Sequence, residues 1–307
     1  MRIASLLPSA TEIVCALGLR DSLVGISHEC DFPSSVLGLP VLTGSILDAG
    51  LSPSEIDAAV QRASLERQPI YTVDGALLAS LAPDLIVTQG VCAVCAVTEE
   101  TVETSLAFLP VDAMCSAPVL SLDAKDFAGI QLDIHALASA ARVVDRAAPL
   151  CADMDARWAS PSAPVGSMSA PRVLMLEWAD PPWGAGHWVP EQVAAAGAED
   201  VFGAAGSASQ RLDWDAIVAA DPDYIFSISC GYDLAQNAAL ARELYAHPVA
   251  SGLRALRGGN LWALDANSYF SRPAPRVVRG AELLRGVFTG EGDLAGERVR
   301  VIGDHGG

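Results

Sequence analysis

The chain has 307 residues, of which 51% are hydrophobic, and this is enough to bury the core of one large α/β domain or of two lobes. Its 19 Lys and Arg residues are set against 37 Asp and Glu residues, so the formal net charge is −18. This charge argues against binding to nucleic acid or to an anionic membrane surface, and it suits a partner with a basic face.

The N-terminal segment, residues 1–14, carries one Arg and then enters a strand-like run. It lacks the charged region, apolar stretch and small-residue cleavage site of a secretory signal. No stretch reaches the roughly 18 apolar residues that cross a membrane. We therefore expect a cytoplasmic protein without a membrane span, in which thiols stay reduced. The seven cysteines, an odd number, do not indicate a disulfide framework.

Short apolar runs alternate with helical patterns, which is typical of βαβ units and parallel sheets. The predicted strands are 2–7, 22–27, 85–90, 119–122, 172–178, 224–229 and 261–265. The predicted helices are 11–19, 54–64, 98–109 and 190–201. The composition of 123–159 is also helical, and we expect a second helix within it from about Asp145, with Pro149 near its first turn.

The two halves of the chain resemble each other. LASLAPDLIVTQGVC (78–92) aligns with IVAADPDYIFSISCG (217–231), and VLSLD (119–123) aligns with LWALD (261–265). A repeat longer than 100 residues predicts two related α/β lobes, since solenoid repeats are shorter. The predicted organisation is an N-terminal α/β lobe over 1–122, a bridging helix and linker over 123–171, a C-terminal α/β lobe over 172–289 and a flexible tail over 290–307.

Unusual motifs follow five of the predicted strands, at the carboxyl ends where open parallel sheets bind their ligands. These motifs are HECDFP (28–33), VCAVC (91–95), ADPPWGAGHW (179–188), CGYD (230–233) and ANSYFSRPAPR (266–276). Because both predicted lobes supply them, we expect one ligand cleft between the lobes.

Cysteine and histidine residues in these motifs are candidate metal ligands. Cys92 and Cys95 precede Thr98, a residue type that caps helices, and a helix N-terminus favours a reactive or ligating thiol. A lone CxxC lacks the second pair of a zinc ribbon, so core packing, a redox pair and metal ligation all stay open. The candidate ligands of zinc or of an iron–sulfur cluster are His28, Cys30, Cys92, Cys95, His187 and Cys230.

Aromatic and polar side chains are concentrated in the same loops. Packing in the core is the usual role of an aromatic residue, but Gly, Pro and Asn neighbours favour loops that line a cleft for a large, flat, partly apolar ligand. Arg272 would pair with a ligand carboxylate or phosphate, or form a salt bridge with the acidic surface. The candidate ligand-binding residues are Ser9, His28, Glu29, Glu177, Trp178, Trp183, His187, Trp188, Tyr232, Asn267, Tyr269, Phe270 and Arg272.

With these motifs in view, the sequence resembles the cobalamin- and siderophore-binding proteins of ABC importers, the cluster with a rigid interdomain helix. The resemblance covers about residues 1–288 and includes RIASLLPSATEIVCALGLRDSLVGIS, LAPDLIVTQ and AHPVASGLRALRGGNLWALD. HECDFP, CAVC, EWADPPWGAGHWVPE, CGYD and NSYFSRPAPR are similar to motifs of a cobalamin-binding-protein-like subgroup. The resemblance implies two three-layer α/β lobes joined by one long helix, with the ligand held between them.

Two functions follow from these patterns. The leading hypothesis is a binding protein, without catalysis, for a corrinoid such as cobalamin or for another metal chelate. Its partner would be an ABC permease if the protein is exported. The alternative is a cytoplasmic metal-binding or Fe–S protein or enzyme, with thiolate ligands in the same cleft and Glu177 as acid or base. The GxSxG, Walker A and GxGxxG motifs are missing from the sequence, so a serine hydrolase, an NTPase or a Rossmann dehydrogenase lacks support.

Overall fold

The computed structural model describes residues 1–47, 53–66, 68–90, 97–107, 117–159, 170–290 and 296–303. The chain forms two compact units. Unit 1 contains residues 1–124 and 128–152, and unit 2 contains residues 125–127 and 153–307.

Unit 1 is built on a parallel sheet. Its strands are β1 (Ile3–Ser5), β2 (Leu23–Gly25), β3 (Thr43–Ser45), β4 (Tyr71–Val73), β5 (Leu85–Gln89) and β6 (Val119–Leu122). The parallel sheet has the order β2-β1-β5-β6, and β3 and β4 form a separate antiparallel pair. Helices α1 (Pro8–Ala16), α2 (Pro53–Glu66), α3 (Gly75–Ser80) and α4 (Glu99–Ala107) connect these strands.

The central strands of unit 1 form where the sequence is continuously apolar. Ile3, Ile86 and Val87 have no exposed surface, as expected for strands that are buried on both faces. Helix α1 starts directly after β1, with Pro8 in its first turn, where a missing N–H costs no hydrogen bond. The loop between β1 and α1 is therefore short and buried.

The predicted bridging segment contains two helices, α5 (Phe127–Ala140) and α6 (Ala147–Trp158). They are separated by Arg142, whose φ of +60° ends the first helix, and by a short 3-10 turn. The resemblance implied one long helix, so the structure differs in this detail. Pro149 is the third residue of α6, as the sequence predicted.

Unit 2 contains a larger mixed sheet. Its strands are β7 (Arg172–Ala179), β8 (Pro182–Gly184), β9 (Glu199–Asp200), β10 (Gln210–Arg211), β11 (Tyr224–Ser227), β12 (Leu261–Leu264) and β13 (Arg298–Val301). The order is β10-β8-β7-β11-β12-β13, and β9 pairs with β7. The helices are α7 (Val189–Ala195), α8 (Trp214–Ala220), α9 (Leu234–Glu243), α10 (Arg254–Arg257), α11 (Ala266–Tyr269) and α12 (Val277–Thr289).

The duplication inferred from the sequence is present in the topology. The parallel order β2-β1-β5-β6 of unit 1 corresponds to the parallel order β9-β7-β11-β12 of unit 2. Helices α1 and α7 occupy matching places and both have a proline in the first turn. All seven predicted strands are observed, and the α/β fold class is confirmed.

Two segments differ from the sequence analysis. The predicted helix 190–201 ends at Ala195, because Gly197 has a φ of +85° and the following residues pair with β7 as β9. Residues 298–301 form β13, antiparallel to β12, where a flexible tail was expected. Among the helices of the described residues, none has the length and apolarity that crossing a membrane requires.

Candidate functional site

In unit 1, polar side chains gather at the carboxyl end of β2. His28 and Glu29 are exposed, and the ring of His28 lies 5.6 Å from that of Tyr71. Nδ1 of His28 is 2.7 Å from the hydroxyl oxygen of Thr43, which in turn donates to the hydroxyl of Ser27 at 3.1 Å. The Tyr71 hydroxyl donates to the carboxylate of Glu29 at 3.2 Å. This arrangement holds both exposed side chains at the strand end.

A second polar cluster lies beneath the first, inside unit 1. The Thr11 hydroxyl donates to that of Ser5 at 2.8 Å and lies 3.1 Å from the sulfur of Cys30. Cys30 is 6% exposed and Ser9 is 3% exposed, so the structure places both predicted site residues in the interior. The sulfur of Cys30 lies beside the Thr11 hydroxyl, and a buried free cysteine commonly has a packing role.

In unit 2, the neighbouring parallel strands β7, β11 and β12 end in loops that carry aromatic residues. The rings of Trp178 and Tyr232 are 5.5 Å apart in an edge-to-face arrangement at 83°. Trp183 is the register partner of Trp178 across the β7–β8 hairpin, so both side chains lie on one face. Tyr232 also accepts the backbone N–H of Asn267 at 3.1 Å. The structure therefore brings these four predicted residues together.

The loop that carries Tyr232 is held from below by a buried amide. The Asn237 side chain accepts from the backbone N–H of Ser229 at 2.7 Å and donates to the carbonyl of Tyr232 at 3.1 Å. Asp233 and Gln236 form a capping box at the start of α9. Cys230 is exposed in this loop. The loop backbone is thus fixed before any ligand arrives.

Glu177 lies one residue before Trp178 on β7. Burial raises the pKa of its carboxyl to about 7. The hydroxyl of Ser209 donates a hydrogen bond to the carboxyl at 2.9 Å, and this bond offsets only part of the rise in pKa. Some surface of the residue remains exposed, although protein surrounds the carboxyl itself. At neutral pH a large fraction of Glu177 is protonated and can donate a hydrogen bond.

His187 is half-buried in the loop after β8 and has a φ of +54°. Burial and, to a smaller extent, the charge of Lys125 lower the pKa of its imidazole. Gly186 precedes it, and a Cβ there would lie 2.4 Å from the carbonyl oxygen of Ser207. The close approach of segment 207–209 therefore requires glycine at 186 and sets the backbone of His187.

Three other predicted ligand-binding residues are buried, although the sequence analysis placed them in exposed loops. Trp188 is 7% exposed and donates through its indole N–H to the carbonyl of Phe270, which is 3% exposed. Arg272 is 7% exposed and donates to the side-chain oxygen of Asn267 at 2.9 Å. The packing of α7 against α12 buries this region. Tyr269 is partly buried and its hydroxyl donates to Glu297 at 2.7 Å.

The predicted thiol cluster is only partly within the described structure. Cys92 and Cys95 lie outside the described residues. Within the ranges that are described, there is no group of three or more His, Cys, Asp and Glu side chains that could hold a metal ion. The Zn or Fe–S centre therefore stays a prediction.

Sequence reasoning missed the residues that position the site. Thr43 and Tyr71 hold the side chain of His28 through a hydrogen bond and a ring contact, and Asn237 holds the backbone of Tyr232 through a hydrogen bond. Thr43 and Tyr71 lie on strands of three residues, β3 and β4, which are too short for a periodic signal. Only the capping-box spacing of Asp233 and Gln236 offered a local signal near Asn237.

Comparison with known proteins gives one family and a set of similar folds. The profile of the family described as periplasmic binding protein matches residues 3–268. Similar solved structures include the periplasmic heme-binding protein RhuT from Roseiflexus sp. RS-1, with 22% identity and a TM-score of 0.67 over 94% of this chain and 97% of that chain. An ABC transporter substrate-binding protein from Listeria monocytogenes EGD-e has 17% identity and a TM-score of 0.66 over 93% and 97%. The periplasmic vitamin B12 binding protein BtuF of Vibrio cholerae has 20% identity and a TM-score of 0.57 over 94% and 96%.

At these identities the likeness establishes the fold and not the ligand. No curated protein matches the chain. The resemblance drawn from the sequence motifs is confirmed at the level of the family.

Proposed function

Because the chain belongs to the periplasmic binding protein family, we propose that it binds a flat metal chelate of the tetrapyrrole type, without catalysis. The sequence motifs favour a corrinoid such as cobalamin within this class. Proteins of similar fold are named for heme and for vitamin B12, which are both metal-bearing macrocycles. Heme is thus the competing ligand of the same chemical class.

The observation that carries this proposal is the aromatic surface at the strand ends of unit 2. Trp178 and Tyr232 are each half-buried, so each keeps part of its ring available to a ligand while its position is fixed. Rings at a fixed angle suit the face and the edge of a flat, partly apolar molecule. The side chain of Asn267, whose backbone N–H bonds to Tyr232, supplies a polar contact suited to amide or propionate groups.

Equilibrium titration with cyanocobalamin, cobinamide and hemin, followed by absorbance and by tryptophan fluorescence, tests the proposal. We expect at least one of these chelates to bind with a Kd far below about 1 mM. Trp178→Ala should raise that Kd about tenfold, since the indole supplies contact area that alanine lacks.

Trp214→Ala is the matched control. Trp214 starts α8, where its ring packs against His247 with 4.4 Å between centroids and is separate from the aromatic surface at the strand ends. This variant should bind like the wild type. Binding of all three chelates weaker than about 1 mM by the wild type would reject the proposal, and equal losses in both variants would reject the role of Trp178.

Delivery of the chelate to an ABC permease is part of the proposal. The net charge of −18 suits a permease with a basic face, and one protein of similar fold is named as an ABC transporter substrate-binding protein. Delivery requires the protein on the outer side of the membrane. Fractionation of cells that express the tagged protein tests this requirement. Recovery with the cytoplasmic fraction alone would leave chelate binding without import.

A further inference from the structure

The strand register of unit 2 places Glu297 beside helix α11. Strand β13 is antiparallel to β12, and its first residue, Arg298, is the register partner of Leu264, the last residue of β12. Helix α11 begins two residues after Leu264, at Ala266. Glu297 directly precedes Arg298 in the chain. The segment that enters β13 and the start of α11 therefore lie side by side.

A hydrogen bond to an ionised carboxylate joins this segment to α11. The hydroxyl of Tyr269, the last residue of α11, donates to Oε1 of Glu297 at 2.7 Å. Arg279 of α12 donates to both oxygens of the same carboxylate. Hydrogen bonding to Arg279 lowers the pKa of Glu297 against the opposing effect of burial, so the carboxylate is ionised at neutral pH. A hydrogen bond to an ionised acceptor is stronger than one between neutral groups.

Helix α11 depends on such contacts because it is short. It contains four residues, and a helix of this length is not stable by itself. The carboxylate of Asp265 caps its start by accepting the backbone N–H of Ser268 at 2.9 Å. At its end, Gln192 donates to the carbonyl of Tyr269 at 2.9 Å. The hydroxyl of Tyr269 adds the contact that ties the helix to the C-terminal segment.

Helix α11 and the residue that follows it closely, Ser271, hold the loop of Tyr232. The backbone N–H of Asn267 donates to the carbonyl of Tyr232 at 3.1 Å. The backbone N–H of Gly231 donates to the hydroxyl of Ser271 at 3.4 Å. The ring of Tyr232 packs edge-to-face on that of Trp178 at 5.5 Å. A displacement of α11 therefore moves one of the two rings on which the proposed function depends.

We propose that Glu297 is a positioning residue of the ligand-binding surface, and that it acts through the hydroxyl of Tyr269 and α11 on the ring of Tyr232. This inference rests on the proposed function and gives the C-terminal segment 296–303 a part in ligand binding. Every residue in this series of contacts belongs to unit 2. Tyr269 and Glu297 lie beyond residues 3–268, the stretch that the family profile matches. Tyr269, predicted from sequence as a ligand contact, becomes part of the support instead.

Equilibrium titration of single and double variants with cyanocobalamin, cobinamide and hemin tests the proposal. Glu297→Ala and Tyr269→Phe remove the two partners of one hydrogen bond, so each should raise the Kd of the bound chelate about fivefold. The double variant should raise the Kd no further, because the bond is already lost in either single variant. In a Tyr232→Ala background, neither substitution should change the Kd by more than about twofold.

Tyr245→Phe is the matched control for a change at the C-terminal segment. The hydroxyl of Tyr245 donates to the carbonyl of Val301 at 3.0 Å, at the opposite end of β13 from Glu297. This variant loses one hydroxyl and one hydrogen bond to the same segment, yet it should keep the wild-type Kd. Urea unfolding of all variants separates a loss of stability from a loss of binding. A Kd for Tyr245→Phe as high as that for Tyr269→Phe would overturn the proposal.

Hydrogen exchange followed by mass spectrometry measures the support of the loop without a chelate. The reporters are the backbone amides of Gly231 and Asn267, whose hydrogen bonds join the loop to the α11 segment. Peptides that contain these amides should exchange about tenfold faster in Glu297→Ala and Tyr269→Phe than in the wild type. In Tyr245→Phe their exchange should be unchanged.

The outcomes separate this inference from the proposed function. Unchanged exchange in both variants, or a raised Kd for Tyr269→Phe but not for Glu297→Ala, overturns the role of Glu297 while chelate binding stands. Failure of the wild type to bind any of the three chelates rejects the proposed function and the part of Glu297 in binding. Faster exchange would then still show that Glu297 holds α11 and the loop of Tyr232.

Discussion

Replacing Glu177 with glutamine tests whether unit 2 holds a carboxyl group in its neutral form. Burial raises the pKa of this carboxyl from 4.5 to about 7, although the hydrogen bond from Ser209 opposes the shift. Glutamine keeps the shape of the side chain and an oxygen that accepts from Ser209 at 2.9 Å in the wild type. The substitution therefore removes the ionisable proton and little else.

The magnitude follows from the difference in pKa between the folded and unfolded states. Because the folded pKa is the higher one, the folded state binds the proton more tightly, and the contribution of this carboxyl to stability is greatest below pH 4.5. This contribution then falls by about 1.4 kcal/mol for each pH unit until the pH passes the folded value. The total is about 3 kcal/mol, an upper figure because part of the Glu177 surface is exposed.

Urea unfolding followed by tryptophan fluorescence and circular dichroism, at about pH 4.5, 6 and 8, measures this difference. The free energy of unfolding of Glu177→Gln should match that of the wild type at the lowest pH and exceed it by up to about 3 kcal/mol at the highest pH. Glu243→Gln, on the exposed face of α9, is the matched control and should give one constant difference. If Glu177→Gln also differs from the wild type by the same amount at every pH, the carboxyl is not held neutral and the reasoning fails.

Three further substitutions test the supports of the candidate site. Gly186→Ala should destabilise the protein by about 2 kcal/mol, because the added Cβ would lie 2.4–2.5 Å from three backbone atoms. Gly252→Ala is the control and should not destabilise the protein, since a Cβ there has nothing within 4 Å. Thermal unfolding of the two variants measures the difference. Asn237→Ala should cost about 1–3 kcal/mol in urea unfolding and weaken chelate binding, because it leaves the buried N–H of Ser229 without its acceptor and removes one of the two donors to the carbonyl of Tyr232, which keeps the N–H of Asn267. Glu282→Gln should cost about 1 kcal/mol at low salt and less at high salt. Burial opposes ionisation of Glu282, but hydrogen bonds from two arginines lower its pKa from the ordinary 4.5, so this loss should shrink as the pH falls below 4.5 in a pH series of urea unfolding.

The sheet strands were predictable because their signal is local. Strands such as 85–89 and 172–179 are apolar runs that stay buried on both faces, and the same pattern in both halves revealed the duplication. The clustering of Trp178, Tyr232 and Asn267 also followed from sequence, since the carboxyl ends of neighbouring parallel strands meet at one edge. These features depend on residues that are close along the chain or on a general rule of parallel sheets.

What only the tertiary structure decided depends on partners that are distant in sequence. Trp188 and Phe270 are 82 residues apart and are buried against each other, although each stands among loop-forming residues. The ring of His28 is held by the hydroxyl of Thr43, which lies 15 residues away on a strand of three residues. Composition and periodicity report the average burial of a segment, whereas the orientation of a ring and its burial depend on single contacts that exist only after the chain has folded.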